Sequence, residues 1–307
     1  MTGYIIRRLL WTIPTLLVIS LITFFLMHAI PGGPFAGPEL KHMSPEVISN
    51  LNKFYHLQDP IWKQYGDYVW HLVQGDLGPS YTDRGRTVNE IIAQSLPASA
   101  VLGFFALLVA MVIGIPLGIV SALKQNTAAD YIGMFVAILG VSVPAMTLGP
   151  LLVLVFALRL KLLPVAQWGT WQQVVLPAIT LGFGSAAILA RLTRASMLQV
   201  LREDYIRTAR AKGLPERRVT VHHALRNALI PVVTVIGPLF AGLITGSMIV
   251  EQVFAIPGMG KFFATSVLGR NYPVIMGTTL LYAVFLVLAN LIVDIMYARL
   301  DPRIRYS

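Results

Sequence analysis

The sequence predicts an all-α integral membrane protein with six transmembrane helices and a large loop outside the membrane between the first two. Three observations carry this. Hydrophobic residues fill 56% of the 307 positions and charged residues only 12%, roughly half the charged share of a soluble domain. The charges leave six long stretches free of Lys, Arg, Asp and Glu. Those stretches lack the two-residue alternation of a barrel strand, so in lipid their backbones must satisfy themselves as helices. A soluble globule is excluded by the apolar excess, and disorder by the scarcity of charge.

The stretches are residues 9–30, 98–123, 132–158, 173–190, 227–250 and 271–293. About 20 residues cross a hydrocarbon core about 30 Å thick; five stretches exceed that and residues 173–190 fall just short. The first follows Arg7-Arg8 like a signal peptide, but it is too long for a signal core. It runs into Pro31-Gly32-Gly33-Pro34 rather than a small-residue cleavage site, so it reads as a retained helix.

Charge at the span ends sets the orientation. One side holds Arg7, Arg8, Lys124, Arg299, Arg303 and Arg305, plus nine basic residues between spans four and five, fifteen of the 24 Lys and Arg. The other nine lie mostly in the long first loop. Both termini are therefore expected in the cytoplasm. The net charge of +10 is a topology signal and not a nucleic-acid footprint. No cysteine is present, which excludes disulfides, thiolate metal sites and a thiol nucleophile.

Two segments outside the spans have their own structure. Between residues 31 and 97, Ser44-Pro45-Glu46 starts a helix. Apolar positions from Val47 to Tyr55 and from Ile61 to Leu72 then recur at helical spacing. These stripes require a surface to pack on, either the outer ends of the spans or an external partner. On the opposite side, residues 191–226 contain a compact helix. Glu203-Asp204 places acid at its start, Tyr205, Ile206 and Ala209 group on one side, and Arg207, Arg210 and Lys212 bring charge. Gly213 suits a left-handed cap, and Leu214-Pro215 stops the helix. Such a helix lies across the membrane surface, on anionic lipid or in the groove of a partner.

Asp204 through Pro215 resembles the loop motif of permease subunits in bacterial binding-protein-dependent ABC importers, in its peptide-transporter form. The general motif reads Glu-Ala-Ala, three residues, then Gly; here those positions are Arg207, Thr208, Ala209 and Gly213. The resemblance runs along the whole chain. Arg7-Arg8-Leu9, Pro31–Pro34, Tyr55-His56-Leu57, Gly75–Gly78, Ala122–Thr127 and Asp301-Pro302-Arg303 are similar to the B-type subunits of oligopeptide and dipeptide permeases. So is Glu251-Gln252-Val253-Phe254-Ala255-Ile256-Pro257-Gly258-Met259-Gly260.

The resemblance implies a type I ABC importer permease fold: a first helix (1–30), an external helical loop (31–97), a permease domain (95–294) and a cytoplasmic tail (295–307). It implies a bacterial cytoplasmic-membrane location and a non-catalytic subunit. The implied partners are a homologous second permease, two cytoplasmic ATPases that hold ATP and Mg²⁺, and an extracytoplasmic peptide-binding protein. It makes Asp204, Tyr205, Ile206, Arg207, Thr208, Ala209, Arg210, Lys212 and Gly213 the coupling helix, with Tyr205, Ile206 and Ala209 packed in an ATPase groove and Arg207 or Arg210 paired with its rim. It makes Glu251, Phe254, Pro257, Gly258 and Gly260 an outer element, either a re-entrant gate or an ordinary loop. Polar residues in or beside the spans, namely Ser142, Thr147, Thr245, Ser247 and Asn290, are candidates for the substrate path. Residues 122–127 favour oligopeptides; dipeptide, nickel and glutathione importers share the branch.

No phosphate-binding loop is present: Gly260-Lys261 is followed by Phe262 and preceded at the fifth position by Ala255. Protease motifs are also missing, and the adjacent His222-His223 diverge on a helix, which argues against a metal site. The rival of a different class is an ion-coupled secondary transporter, which requires an ionisable group inside the membrane. Glu251 and Asp294 lie at span ends and read as interfacial or structural. Prolines 14, 116, 144, 150, 177, 231 and 238 predict kinks. Gly114-x-x-x-Gly118 and Gly242-x-x-x-Gly246 predict close helix approach, within this chain or against a second permease.

Overall fold

The computed structural model describes residues 2–36, 44–83 and 85–300, and apart from one isolated bridge between Pro79 and Thr87 their regular structure is helical. The tail motif at residues 301–303 lies outside the described residues. Five stretches are long and apolar enough to cross a membrane singly. They lie in α1 (Thr2–Ala29), α4 (Val88–Leu123), α7 (Trp171–Val200), the run Glu216–Ile244 and α13 (Tyr272–Leu300).

The third expected span is not one helix. α5 (Ala128–Ser142) gives way to α6 (Ala145–Leu152), which continues through a π-helical turn at Val153–Arg159, and the two halves meet at 108°. Pro144 causes the break: its ring pushes Val143 into the extended region, φ −86° and ψ 114°, and it has no N–H to continue the ladder. A sixth span exists only if this bent pair counts as one.

The fifth span also ends early. α9 (Glu216–Arg218) runs through a π-helical turn, Val219–Ala224, into α10 (Leu225–Ile244), which stops six residues before Val250. Gly246 turns the chain at φ 89°, and a separate helix α11 (Met248–Val253) starts with the Ser247 hydroxyl accepting Val250 N–H. Elsewhere the helices outrun the charge-free stretches. α4 begins at a capping box in which Thr87 and Glu90 exchange hydrogen bonds of 3.2 and 3.0 Å, so Glu90 belongs to its first turn. At the start of α7 Thr170 N–H donates to Gln173 Oε1 at 3.0 Å and Gln173 N–H to the Thr170 carbonyl at 3.1 Å, and the shortest expected span becomes part of a 30-residue helix.

Glycines set the inner packing. α4 lies against α7 where a Cβ on Gly114 or Gly118 would strike the backbone at Ala186 or Ala190, and Gly182 faces Ala106 with the same intimacy. Gly103 meets Leu243 of α10, and Gly237 meets Ala289 and Val293 of α13. Gly114 and Gly118 therefore serve packing within this chain, whereas nothing lies within 4 Å of the Gly242 position. Asp130 of α5, only 2% exposed, takes both Nε and Nη2 of Arg194 on α7 at 2.7 Å and also accepts Asn126 N–H.

α2 (Pro45–Phe54) and α3 (Ile61–Val73) form a cap over the C-terminal end of α1 and the N-terminal end of α13. Phe24, Met27, Tyr272 and Met276 cluster with Tyr65, Tyr68 and Tyr81. Tyr65 OH meets Ser20 Oγ at 2.9 Å and Tyr272 OH donates to Met27 O at 3.0 Å. Burial drives the phenols of Tyr68 and Tyr81 well above their ordinary pKa. α3 leaves Trp62, Trp70 and Val73 facing outward.

Candidate functional site

α8 (Asp204–Ala211) sits between α7 and α9 and is closed at both ends. Glu203 enters it extended, φ −67° and ψ 148°. At the other end Gly213 adopts φ 74°, its N–H reaching Arg210 O at 2.9 Å while Leu214 N–H reaches Ala209 O at 3.3 Å. That pair of bonds is a Schellman closure, which needs the left-handed region and hence glycine. The cap is intrinsic to the residues, so α8 keeps its length without a partner.

One face of α8 is bedded in its own chain. Ile206 and Ala209 are buried among Ala122 of α4, Met197 of α7, Val219, Ala224 and Ala228. They are therefore not available to line an ATPase groove, which corrects the expectation placed on them. The cause is spacing: residues three apart share a face, and that face is the one turned to the membrane bundle. Tyr205 remains exposed and its hydroxyl accepts Asn227 Nδ2–H at 2.7 Å.

The arginines already have carboxylates on this chain. Arg210 donates to both oxygens of Glu216 at 2.7 and 3.3 Å, and Arg207 donates to Asp204 at 3.3 Å. Both pairs are well exposed. Pairs of that kind contribute about 0–1 kcal/mol, so they can exchange for other carboxylates at little cost. The face left to an outside partner is Asp204, Tyr205, Arg207, Thr208, Arg210, Ala211 and Lys212.

On the other side of the bundle, the turn after α10 encloses a carboxylate. Glu251, expected at an interfacial span end, is only 2% exposed within α11. Its Oε1 accepts Ser99 Oγ–H at 2.7 Å and its Oε2 accepts Gly260 N–H at 2.7 Å, while Ser99 Oγ accepts Met259 N–H at 2.7 Å. Gly246, Gly258 and Gly260 crowd the carboxylate so closely that a Cβ on any of them would overlap it. Phe254 fixes the other end of the turn, buried with Leu102, Leu176 and Ala178, and its carbonyl accepts Gln167 N–H at 3.0 Å. Pro257 lies in the strap between Phe254 and α12 (Gly260–Leu268). The element is tucked into the bundle and tied to α4 through Ser99.

The five polar residues proposed for a path fall in three places. Ser142 and Thr147 flank the α5–α6 bend, both exposed. Thr245 bonds back to Ala241 O and Gly242 O, and Ser247 caps α11. Asn290 lines a groove between α13 and α1. Spacing did not single out the exposed stripe of α10, Asn227, Pro231, Thr234, Pro238 and Gly242. Its signal was present in two prolines and a glycine spaced along one helix face. The Ser99–Glu251 and Asp130–Arg194 pairs had no local signal, because their partners lie 152 and 64 residues apart.

Residues 114–306 match the family described as binding-protein-dependent transport system inner membrane component, and residues 1–103 match the N-terminal family of the same systems. The chain belongs to this permease family. It is 46% identical over its full length to the oligopeptide transport system permease protein OppB of Salmonella typhimurium, covering all of that protein. It is 46% identical over 99% of its length to the dipeptide transport system permease protein DppB of Bacillus subtilis, covering 98% of it. Among solved structures it resembles chains of an inward-facing MetNI methionine ABC transporter and of an amino acid ABC transporter. The TM-scores are 0.54 and 0.52 at 15% identity, over 69% and 68% of this chain and 96% and 93% of those chains. The fold is that of type I ABC importer permeases, and the chain is a multi-pass inner-membrane protein. Permeases of this family operate with ATPase and binding-protein partners.

Proposed function

We propose that this chain is the non-catalytic permease subunit of an ATP-driven peptide importer, with oligopeptides the favoured substrate. The observation that carries it is α8, a capped helix seated by Ile206 and Ala209 on the same block as α4, α7 and α10, with a polar face left outward. ATP and Mg²⁺ act on partner ATPases, whose closure drives α8 and the block beneath it together. The names of the full-length relatives, oligopeptide and dipeptide permeases, support a peptide substrate. Both termini and α8 lie in the cytoplasm on this reading, consistent with fifteen of 24 basic residues on that side.

The second permease is a homologue that faces the exposed stripe of α10, where Thr234 and Asn227 offer polar groups to a peptide between the subunits. The peptide-binding protein meets the cap, where Trp62 and Trp70 are exposed. Co-expression with the products of neighbouring genes and purification through a tag on this chain should recover a second permease, two ATPases and a binding protein. Peptide accumulation by this chain alone in vesicles on a proton gradient, without ATP, would overturn the proposal in favour of a secondary transporter.

A further inference from the structure

The turn joining α4 to α5, residues 124–127, is exposed at all four positions and plays no part in the proposed function. Its backbone is nevertheless held in one shape. Thr127 gives both its N–H and its hydroxyl to Lys124 O, at 3.2 and 2.7 Å. Asn126 takes the left-handed region at φ 61°, where a residue other than glycine is uncommon. Its N–H donates to Asp130 Oδ2 at 3.1 Å, and that buried carboxylate also takes the Arg194 fork at 2.7 Å. The turn is thereby tied to α7.

The same tie sets its position relative to α8. Arg194 lies one turn before Met197, and Ala122 lies just before the turn; Met197 and Ala122 both belong to the bed beneath Ile206 and Ala209. The turn and α8 therefore project from one packed block at the same end of the bundle. α7 runs from Ala190 on to Val200, about 15 Å past its charge-free stretch, so this end reaches beyond the hydrocarbon. The groups on offer are the side-chain amides of Gln125 and Asn126, the Lys124 ammonium and the Thr127 oxygen. Amides with one ammonium suit the carbonyls and carboxylates of a folded protein, whereas an anionic lipid surface draws clusters of Lys and Arg.

We propose that the α4–α5 turn is a second contact for the partner ATPase that α8 meets, with Asp130 the residue that positions it; this rests on the function proposed for α8. A photoreactive p-benzoylphenylalanine is placed singly at Gln125 and at Thr208 in the assembled importer, and the cross-linked products are identified by mass spectrometry. Both positions should join the ATPase. Asp130→Asn should lower the adduct at Gln125 about fivefold and leave that at Thr208 unchanged, a difference that general loosening of the bundle would not give. Should that variant fail to assemble, Lys124→Glu combined with Gln125→Glu, both on the exposed turn, should lower ATPase retention during purification about fivefold. An ATPase adduct at Thr208 with only lipid or the second permease at Gln125 overturns the proposal and leaves the role of α8 standing; no ATPase adduct at either position overturns both. An unchanged Gln125 adduct in Asp130→Asn, or unchanged retention in the double variant, also overturns it.

Discussion

Gly213 and Glu251 show how single residues hold the two ends of the machine. At φ 74° Gly213 closes α8 in a conformation that costs a β-branched residue about 1–2 kcal/mol. Because nothing lies within 4 Å of a Cβ there, the cost is conformational rather than steric. Gly213→Val should therefore leave the membrane bundle folded but fray α8, and ATP hydrolysis by the assembled importer should continue while peptide uptake falls. Wild-type uptake and ATPase rates would contradict the role assigned to α8. Glu251 accepts two hydrogen bonds that only a carboxylate can accept together. In Glu251→Gln the amide oxygen can keep Gly260 N–H while the amide N–H turns to Ser99 Oγ, which accepts it and loses the acceptor of its own proton, so the variant should lose about 0.5–1.5 kcal/mol. Thermal unfolding in detergent measures this, and limited proteolysis at residues 254–259 locates it.

At the level of helices, the apolar stretches made nearly every membrane element legible, since a charge-free run of 20 residues has few alternatives in lipid. What they did not reveal were the breaks. The α5–α6 bend and the early stop of α10 lie within uncharged sequence, where hydropathy is blind and only Pro144 and Gly246 mark the change. The helix α8 was legible because its caps are local, but its buried face was assigned to the wrong neighbour. Periodicity shows that Ile206 and Ala209 share a face and does not say what covers it. The Asp130–Arg194 pair tests how α5 is held to α7. Asp130→Asn should cost less than the roughly 3–5 kcal/mol of a fully buried pair, because the Arg194 side chain remains 26% exposed. Removing Arg194 as well should recover part of the loss in a double-mutant cycle.

For the molecule as a whole, the absence of cysteine gives a clean background for mapping topology. Single-cysteine variants at Thr208 and at Asn50, both exposed, should react with a membrane-impermeant maleimide from opposite sides: Asn50→Cys in intact spheroplasts, Thr208→Cys only after lysis. The reverse pattern would invert the orientation and remove α8 from any cytoplasmic ATPase. The bedding of α8 on the inner helices has a mechanical consequence. Load applied to that short rod would pass through Ile206 and Ala209 to the glycine-packed helices α4, α7 and α10, and these three would tilt as a unit. The first helix and its outer hood, moored through the last helix, would travel as passengers rather than drive the stroke.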